Sequence, residues 1–301
     1  MVAEALDALK PRPDGRYADG TLGGAGHAAS ILEASSPTGW LFGCDRDGVA
    51  VEAAKKRLAE KFAGRFEIRR GNFSEMADWI PAAGCDGVLL DLGVSSPQLD
   101  FAERGFSFQN DGPLDMRMDD RQKLTAANLV NDLSAEELAK IFWEFGGERE
   151  SRRCAKAIVH DRAQKKFKTT RQLAELIERI SPRAGKKAHP ATKIFQALRI
   201  AVNDEIGSLK GGLEAAMKIL KPGGWLAVIT FHSLEDRIVK DFGREKARDY
   251  TFAGKVDVPE LRSPRQPEMK WVNRKAIKPG EKELKENPRS RSAQLRIMEK
   301  I

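Results

Sequence analysis

Strand and helix patterns alternate over the first hundred residues, stop near Ser95, and resume near Ser208; this break constrains the fold of the chain more than any other feature. Arg16–Asp19 reads as a short strand running into the glycine-rich turn DGTLGGAGH at 19–27, which opens a helix, AASILEAS. Next come a strand at 40–45 (WLFGCD), a helix at 48–62 with Val51, Ala54 and Leu58 at helical spacing, and a strand at 66–69. DGVLLDL at 86–92 is a near-continuous apolar run, the signature of a strand covered on both faces. Such alternation predicts an α/β fold with a parallel, doubly wound sheet.

The interruption reads differently. Residues 97–115 are loop-like, with Pro97, Gly105, Gly112 and Pro113, and the pattern from 124 to about 206 is helical. Ser134 with Glu137 three residues on forms a capping box before LAKIFWEF, and further helices are predicted at 150–163, 170–180 and 191–206. Phe142 and Trp143 are expected in the core of this region. Sheet grammar returns with a helix at 208–220, a turn KPGG at 221–224 and the strand WLAVITF. The expected organisation is a discontinuous domain, 1–98 with 207–301, carrying a mainly helical insertion at 99–206. The stretch 254–291, rich in Pro and charge, is expected to be irregular with short strands at its end.

Composition removes several classes. The longest apolar run, 225–231, is strand-sized and far short of a membrane span. MVAEALDALK lacks the basic and apolar regions of a secretory leader. Cys44, Cys85 and Cys154 are widely spaced, which argues against a disulfide scaffold or a zinc module and for a cytoplasmic protein. The net charge of +8 is unevenly spread: −9 over 1–148, +11 over 149–199, −2 over 200–236 and +8 over 237–301. Two basic regions flanking an acidic body suit a polyanion held through its phosphates, or else solvated helix faces and a loose tail.

The turn at 19–27 has the strand-before, helix-after context of a nucleotide-binding loop, and Gly24, Gly26 and Ala29 satisfy a loose GxGxxA pattern. A ligand-free βα turn is the alternative. Asp45 ends the second strand 19 residues after Gly26, at the spacing of an acid that binds a ribose diol, and the joint spacing favours adenosine in a dinucleotide or in S-adenosylmethionine. Asp91 ends the fourth strand beside Ser95, Ser96 and Gln98, so Asp19, Asp45 and Asp91 should converge at the carboxyl edge of the sheet. His232 follows the strand ending at Phe231 toward the same edge; Ser233 and Asp236 read as a helix cap and a first-turn acid. His160 and His189, in basic helical surroundings, are expected at the surface.

Taken together, DGTLGGAGH, CDRD, DLGVSSPQLD, GPLDMRM, HPATKIFQALRI, FHSLEDRIVK and NPRSRSAQLR, in this order, resemble the bacterial small-subunit ribosomal RNA cytosine-N4 methyltransferases, the MraW family. The resemblance implies a Rossmann-like S-adenosylmethionine-dependent methyltransferase fold with a helical insertion that recognises RNA. It implies methyl transfer to the exocyclic N4 of a cytidine near the decoding centre of 16S RNA, within an assembled or nearly assembled 30S subunit. Cofactor contacts carry over to Ala25, Gly26, His27, Asp45, Phe73, Asp91 and Gln98, with no metal; Ala25 stands where many relatives have Gly. Phe73, which alone reads as a core residue, would lie against adenine.

Asp91 is the expected acceptor for the reacting amino group, and Phe106, Phe108 or Phe231 would stack the target base. Arg152, Arg153, Lys165, Lys166, Lys168, Lys186, Lys187, Arg289 and Arg291 would hold the surrounding RNA. Two rival readings are a nicotinamide dehydrogenase, which GAGHAA plus Asp45 also fits, and an assembly factor that binds RNA without turnover.

Overall fold

The computed structural model describes residues 1–181, 189–252 and 257–301. The chain divides into two compact units, one made of Met1–Gly93 with Gly207–Ile301 and the other of Val94–Ile206. The first boundary lies ahead of residue 98 because Val94 and Leu99 already pack on the helical core.

In the discontinuous unit, five strands run parallel: β1 (Arg16–Asp19), β2 (Trp40–Asp45), β3 (Phe66–Arg70), β4 (Cys85–Asp91) and β5 (Leu220–Thr230). The sheet order is β3-β2-β1-β4-β5-β9-β8, where β8 is Met269–Trp271 and β9 is Gln294–Lys300. Both of the last two pair antiparallel, so the sheet is mixed rather than wholly parallel. Strand order reverses between β1 and β4, which opens a crevice at their carboxyl ends.

The continuous apolar run of β4 is explained by its two faces. Val88 and Leu90 belong to one core with Leu209 and Leu213 of α10 (Glu205–Ile219). Leu89 belongs to another, with Leu9 of α1 (Val2–Leu9), Ile31 of α2 (Gly26–Ala34) and Leu58 of α3 (Gly48–Phe62). Alternate side chains of a strand point to opposite faces, so a strand sandwiched between helices has no polar side.

Three local expectations are corrected. KPGG at 221–224 is not a turn between elements; β5 runs through it, with Gly223 at φ +78° and a register shift against Cys85 and Gly87. The cap of α11 (Ser233–Lys246) is His232, whose Nδ1 accepts the Glu235 N–H at 3.4 Å, rather than Ser233. Asp236 lies in the first turn of α11, as expected, and forms an ion pair with Arg296 of β9 at 2.6 Å. In the stretch expected to be irregular, β6 (Tyr250–Phe252) pairs with β7 (Arg262–Pro264), and a short helix spans Glu281–Glu286.

The other unit contains α4 (Ser96–Asp100), α5 (Ala126–Asp132), α6 (Ala135–Glu144), α7 (Ser151–Gln164), α8 (Thr170–Ile180) and α9 (Ala191–Val202). Its core gathers Leu138, Phe142, Ile158, Leu173, Ile177, Ile194 and Leu198. Capping boxes open α5, α6 and α8 through Thr125–Asn128, Ser134–Glu137 and Thr169–Gln172. The helix predicted to 206 stops at Val202, because the Asn203 side chain accepts the Met118 N–H (2.7 Å) and donates to the Met116 carbonyl (2.8 Å). Asp204 then takes φ +43°.

Two further expectations for this unit fail in part. Phe142 is fully buried but Trp143 is 60% exposed. His160 is at the surface, whereas the His189 side chain is 14% exposed, packs on Phe108 and lies 3.5 Å from Glu178. Cys44, Cys85 and Cys154 are buried free thiols, and no described helix is long and apolar enough to cross a membrane.

Candidate functional site

The carboxyl ends of β1, β2 and β4 bring Asp19, Asp45 and Asp91 to the crevice, joined by one residue the sequence reading passed over, Thr21. Its N–H donates to Asp19 Oδ1 (3.0 Å), its hydroxyl lies 3.4 Å from the same oxygen, and that hydroxyl accepts the Asp91 N–H at 2.7 Å. A Thr two residues after the strand-ending acid was the available signal, since short hydroxyl side chains there bond local backbone. The turn beyond is fastened to β2. Asp45 Oδ2 accepts the Gly23 N–H and Oδ1 accepts the Asp47 N–H, each at 2.9 Å. Each oxygen keeps a second lone pair for a ligand. Burial raises the Asp45 pKa, against these two backbone hydrogen bonds.

Ala25 caps α2 in the left-handed conformation, φ +56°, and its side chain makes no capping hydrogen bond to the first turn of that helix. Around the turn, a Cβ added to Gly24 or Gly26 would meet nothing within 4 Å, so this surface is open to a ligand. The free N–H groups and the dipole at such a terminus favour a carboxylate or phosphate.

His27, in the first turn of α2, lies 3.3 Å from Asp91 Oδ2 through Nε2. Burial depresses its pKa, but the Asp91 hydrogen bond and the charges of Asp91 and Asp19 outweigh it and leave the imidazole raised. Asp19 is 1% exposed, and burial pushes its carboxyl up to about 6 although the His27 charge opposes the rise. Asp19 Oδ2 and Asp91 Oδ1 are buried and lack a hydrogen-bond partner among the described residues. A buried carboxylate oxygen without a donor is costly, so these two atoms mark where a cationic or N–H-bearing ligand belongs.

Phe73 begins the turn of helix that follows β3, set there by Asn72, whose side chain accepts the Ser74 N–H and donates to Ser208. Its ring lies so close to Gly212 of α10 that a Cβ there would approach Cδ2 to 2.2 Å. The ring is half-buried, backed by α10, and packs against the core that holds Leu209 and Leu213, in line with the core role read from sequence. Phe231 lies against Gly93, which holds φ +102°, at the end of the neighbouring strand pair.

Gln98 belongs to the helical unit, where its side-chain oxygen accepts the Ser95 N–H at 3.0 Å in a capping box of α4. Phe106 is buried in that unit's core, and Phe108 packs edge-on against Phe195, so neither presents a free face of the kind Phe73 does. Of the basic residues, Arg152, Arg153, Lys165, Lys166, Lys168, Arg289 and Arg291 are exposed. Lys186 and Lys187 lie outside the described residues.

The profile of the MraW methylase family matches residues 1–301. The ribosomal RNA small subunit methyltransferase H of Geobacter sulfurreducens is 52% identical over 306 residues, covering 100% of this chain and 97% of that protein. The protein of the same name from Syntrophotalea carbinolica is 50% identical, over 100% of this chain and 96% of its own length. Among solved structures, an rRNA methylase from Streptococcus thermophilus aligns with a TM-score of 0.43 at 10% identity, over 99% of this chain and 95% of that one.

Proposed function

The chain belongs to the MraW methylase family, and on that premise we propose that it methylates the exocyclic N4 of a cytidine in small-subunit ribosomal RNA with S-adenosylmethionine as donor. The observation that carries the donor site is the pair of orphaned carboxylate oxygens, Asp19 Oδ2 and Asp91 Oδ1, at the rim where the glycine turn opens. A methionyl ammonium offers the N–H donors they lack. The uncapped first turn of α2 suits the methionyl carboxylate, the second lone pairs of Asp45 suit a ribose diol, and the backed face of Phe73 suits adenine. Full-length relatives named for small-subunit ribosomal RNA support the substrate class.

The bound donor supplies a methyl already activated by a sulfonium charge. The chain's own task is placement, because cytosine N4 is a weak nucleophile whose lone pair is spread into the ring. Asp91 is the proposed acceptor for the N4 hydrogens as positive charge develops there, and its His27 partner keeps one oxygen oriented. Gln98 is the remaining contact that the family resemblance implies. The base must leave its stack to be reached, so the substrate is an unpaired or extruded nucleotide. Exposed basic residues of each unit would hold RNA, and its 30S setting is part of the same proposal.

Labelled methyl transfer to undermethylated 30S particles and to naked RNA, with mass-spectrometric mapping of the product, tests this reading. Transfer to N4 of one cytidine is expected, and Asp91→Ala is expected to abolish it. Full activity in that variant removes the site assignment. Calorimetric titration with S-adenosylhomocysteine against NAD separates the dehydrogenase alternative: binding of NAD alone would replace the reading.

A further inference from the structure

In the helical unit, α6 and α7 pack side by side, and above them lies a groove of about 920 Å³. Leu138, Ala139 and Phe142 form the inward face of α6. Trp143, one step further round the helix, is turned out of the core and lines the groove, 60% exposed. Among the described residues no aromatic ring stacks on the indole and no cation covers it. An indole left this open in a polar setting is a binding surface by chemistry, since a large aromatic face gains most when a flat partner covers it.

What surrounds the indole selects the partner. Lys140, Arg149, Arg152 and Lys156 line the groove, are exposed, and enter no ion pair among the described residues. Arg153 is paired with Glu150 at 3.1 Å, and Glu150 also accepts the Ser181 hydroxyl at 2.7 Å, so one of the two groove carboxylates is already occupied. The local field is positive, which disfavours an acid-poor apolar peptide and favours a polyanion bearing flat rings. A double helix hides its rings, and a single strand displays them.

We propose that this groove seats a single-stranded segment of the RNA away from the reacting nucleotide, with one unpaired base stacked on Trp143 and its flanking phosphates neutralised by Lys140, Arg149, Arg152 and Lys156. The inference rests on the reading of the substrate as RNA. It deepens that reading by adding an aromatic seat away from the reacting nucleotide, beside basic residues already read from sequence.

The test uses the full chain, a single-stranded octauridylate as probe, and fluorescence anisotropy over a salt series. Trp143→Ala is expected to weaken binding about tenfold, the scale of one lost stacking contact, without changing the salt slope. Trp143→Phe should recover most of the loss. Arg149→Ala with Arg152→Ala should weaken binding and also flatten the slope by about 1.4, the value for two phosphate contacts on a single strand. S-adenosylhomocysteine affinity should stay at the parent value in every variant, which reports that each is folded.

Octauridylate binding in Trp143→Ala equal to the parent overturns the proposal. So does a parent chain that methylates 30S particles yet does not bind the probe, or Trp143-dependent binding of polyglutamate tighter than of RNA, which would mark a protein-docking groove. Binding through Trp143 by a chain that transfers no methyl would leave this seat standing and remove the proposed reaction alone.

Discussion

Asp19 shows how much a single carboxyl can say once its surroundings are visible. Its pKa of about 6 exceeds the ordinary 3.8 because burial disfavours the anion. A carboxyl raised in the folded state binds more protons there than in the unfolded chain between those two values. Its contribution to stability is therefore greatest below about pH 4 and falls as pH rises through about 6. His27, whose pKa is also raised, acts in the same direction at higher pH, losing stabilisation as the imidazole deprotonates. Asp91, Asp45, Thr21 and His27 face Asp19, so the carboxyl is not isolated, but among the described residues no hydrogen bond reaches Oδ2. Asp19→Asn is expected to unfold at higher urea concentration than the parent at pH 7 and at the same concentration at pH 4. An equal difference at both pH values would show that the carboxyl charge is not the cause. The sequence placed Asp19 at the rim but not its orphaned oxygen, because burial of one oxygen depends on chain brought in from elsewhere. Likewise the sequence shows Ala25 where many relatives have Gly but not its φ of +56°, which makes the cost of that methyl conformational, of the order of 1 kcal/mol.

Among elements, those whose signals are local were legible. Strands β1 and β2 and helices α3 and α8 lie where their patterns placed them, and the Ser134–Glu137 box opens α6 as spacing required. What escaped depended on partners distant in sequence. The stop after Val202 is set by Asn203 reaching Met116 and Met118, about 85 residues away. β5 extends through KPGG because Cys85 pairs with Leu220. Phe73 alone reads as a core residue because the glycine that makes room for its ring, Gly212, is on a helix encoded far downstream. Gly212→Ala is accordingly expected to push the ring out of place, costing about 1–3 kcal/mol of stability by overpacking and lowering S-adenosylhomocysteine affinity. Chemical denaturation and calorimetry read the two effects; unchanged affinity with the ring displaced would take adenine off Phe73.

On the scale of the whole molecule, the break in strand and helix grammar foretold an interrupted sheet, but not how the sheet is completed. β9, which follows the stretch rich in charge and Pro, enters between β5 and β8 and runs antiparallel to both. One nearly buried ion pair ties it down: Arg296 at 8% side-chain exposure against Asp236 of α11 at 13%, 2.6 Å apart. Removing one partner strands the other charge, so Arg296→Ala should cost about 3–5 kcal/mol, measured by urea unfolding. A loss below about 1 kcal/mol would mean that water still reaches Asp236.

The position of β9 also sets an order of events during synthesis. While the polypeptide is being made, the inserted helices are complete before β5 exists, and β5 has one bare flank until Gln294–Lys300 has emerged. The crevice that gathers Asp19, Asp45 and Asp91 thus acquires the strand that flanks β5 only once Gln294–Lys300 has been made, long after the acids themselves.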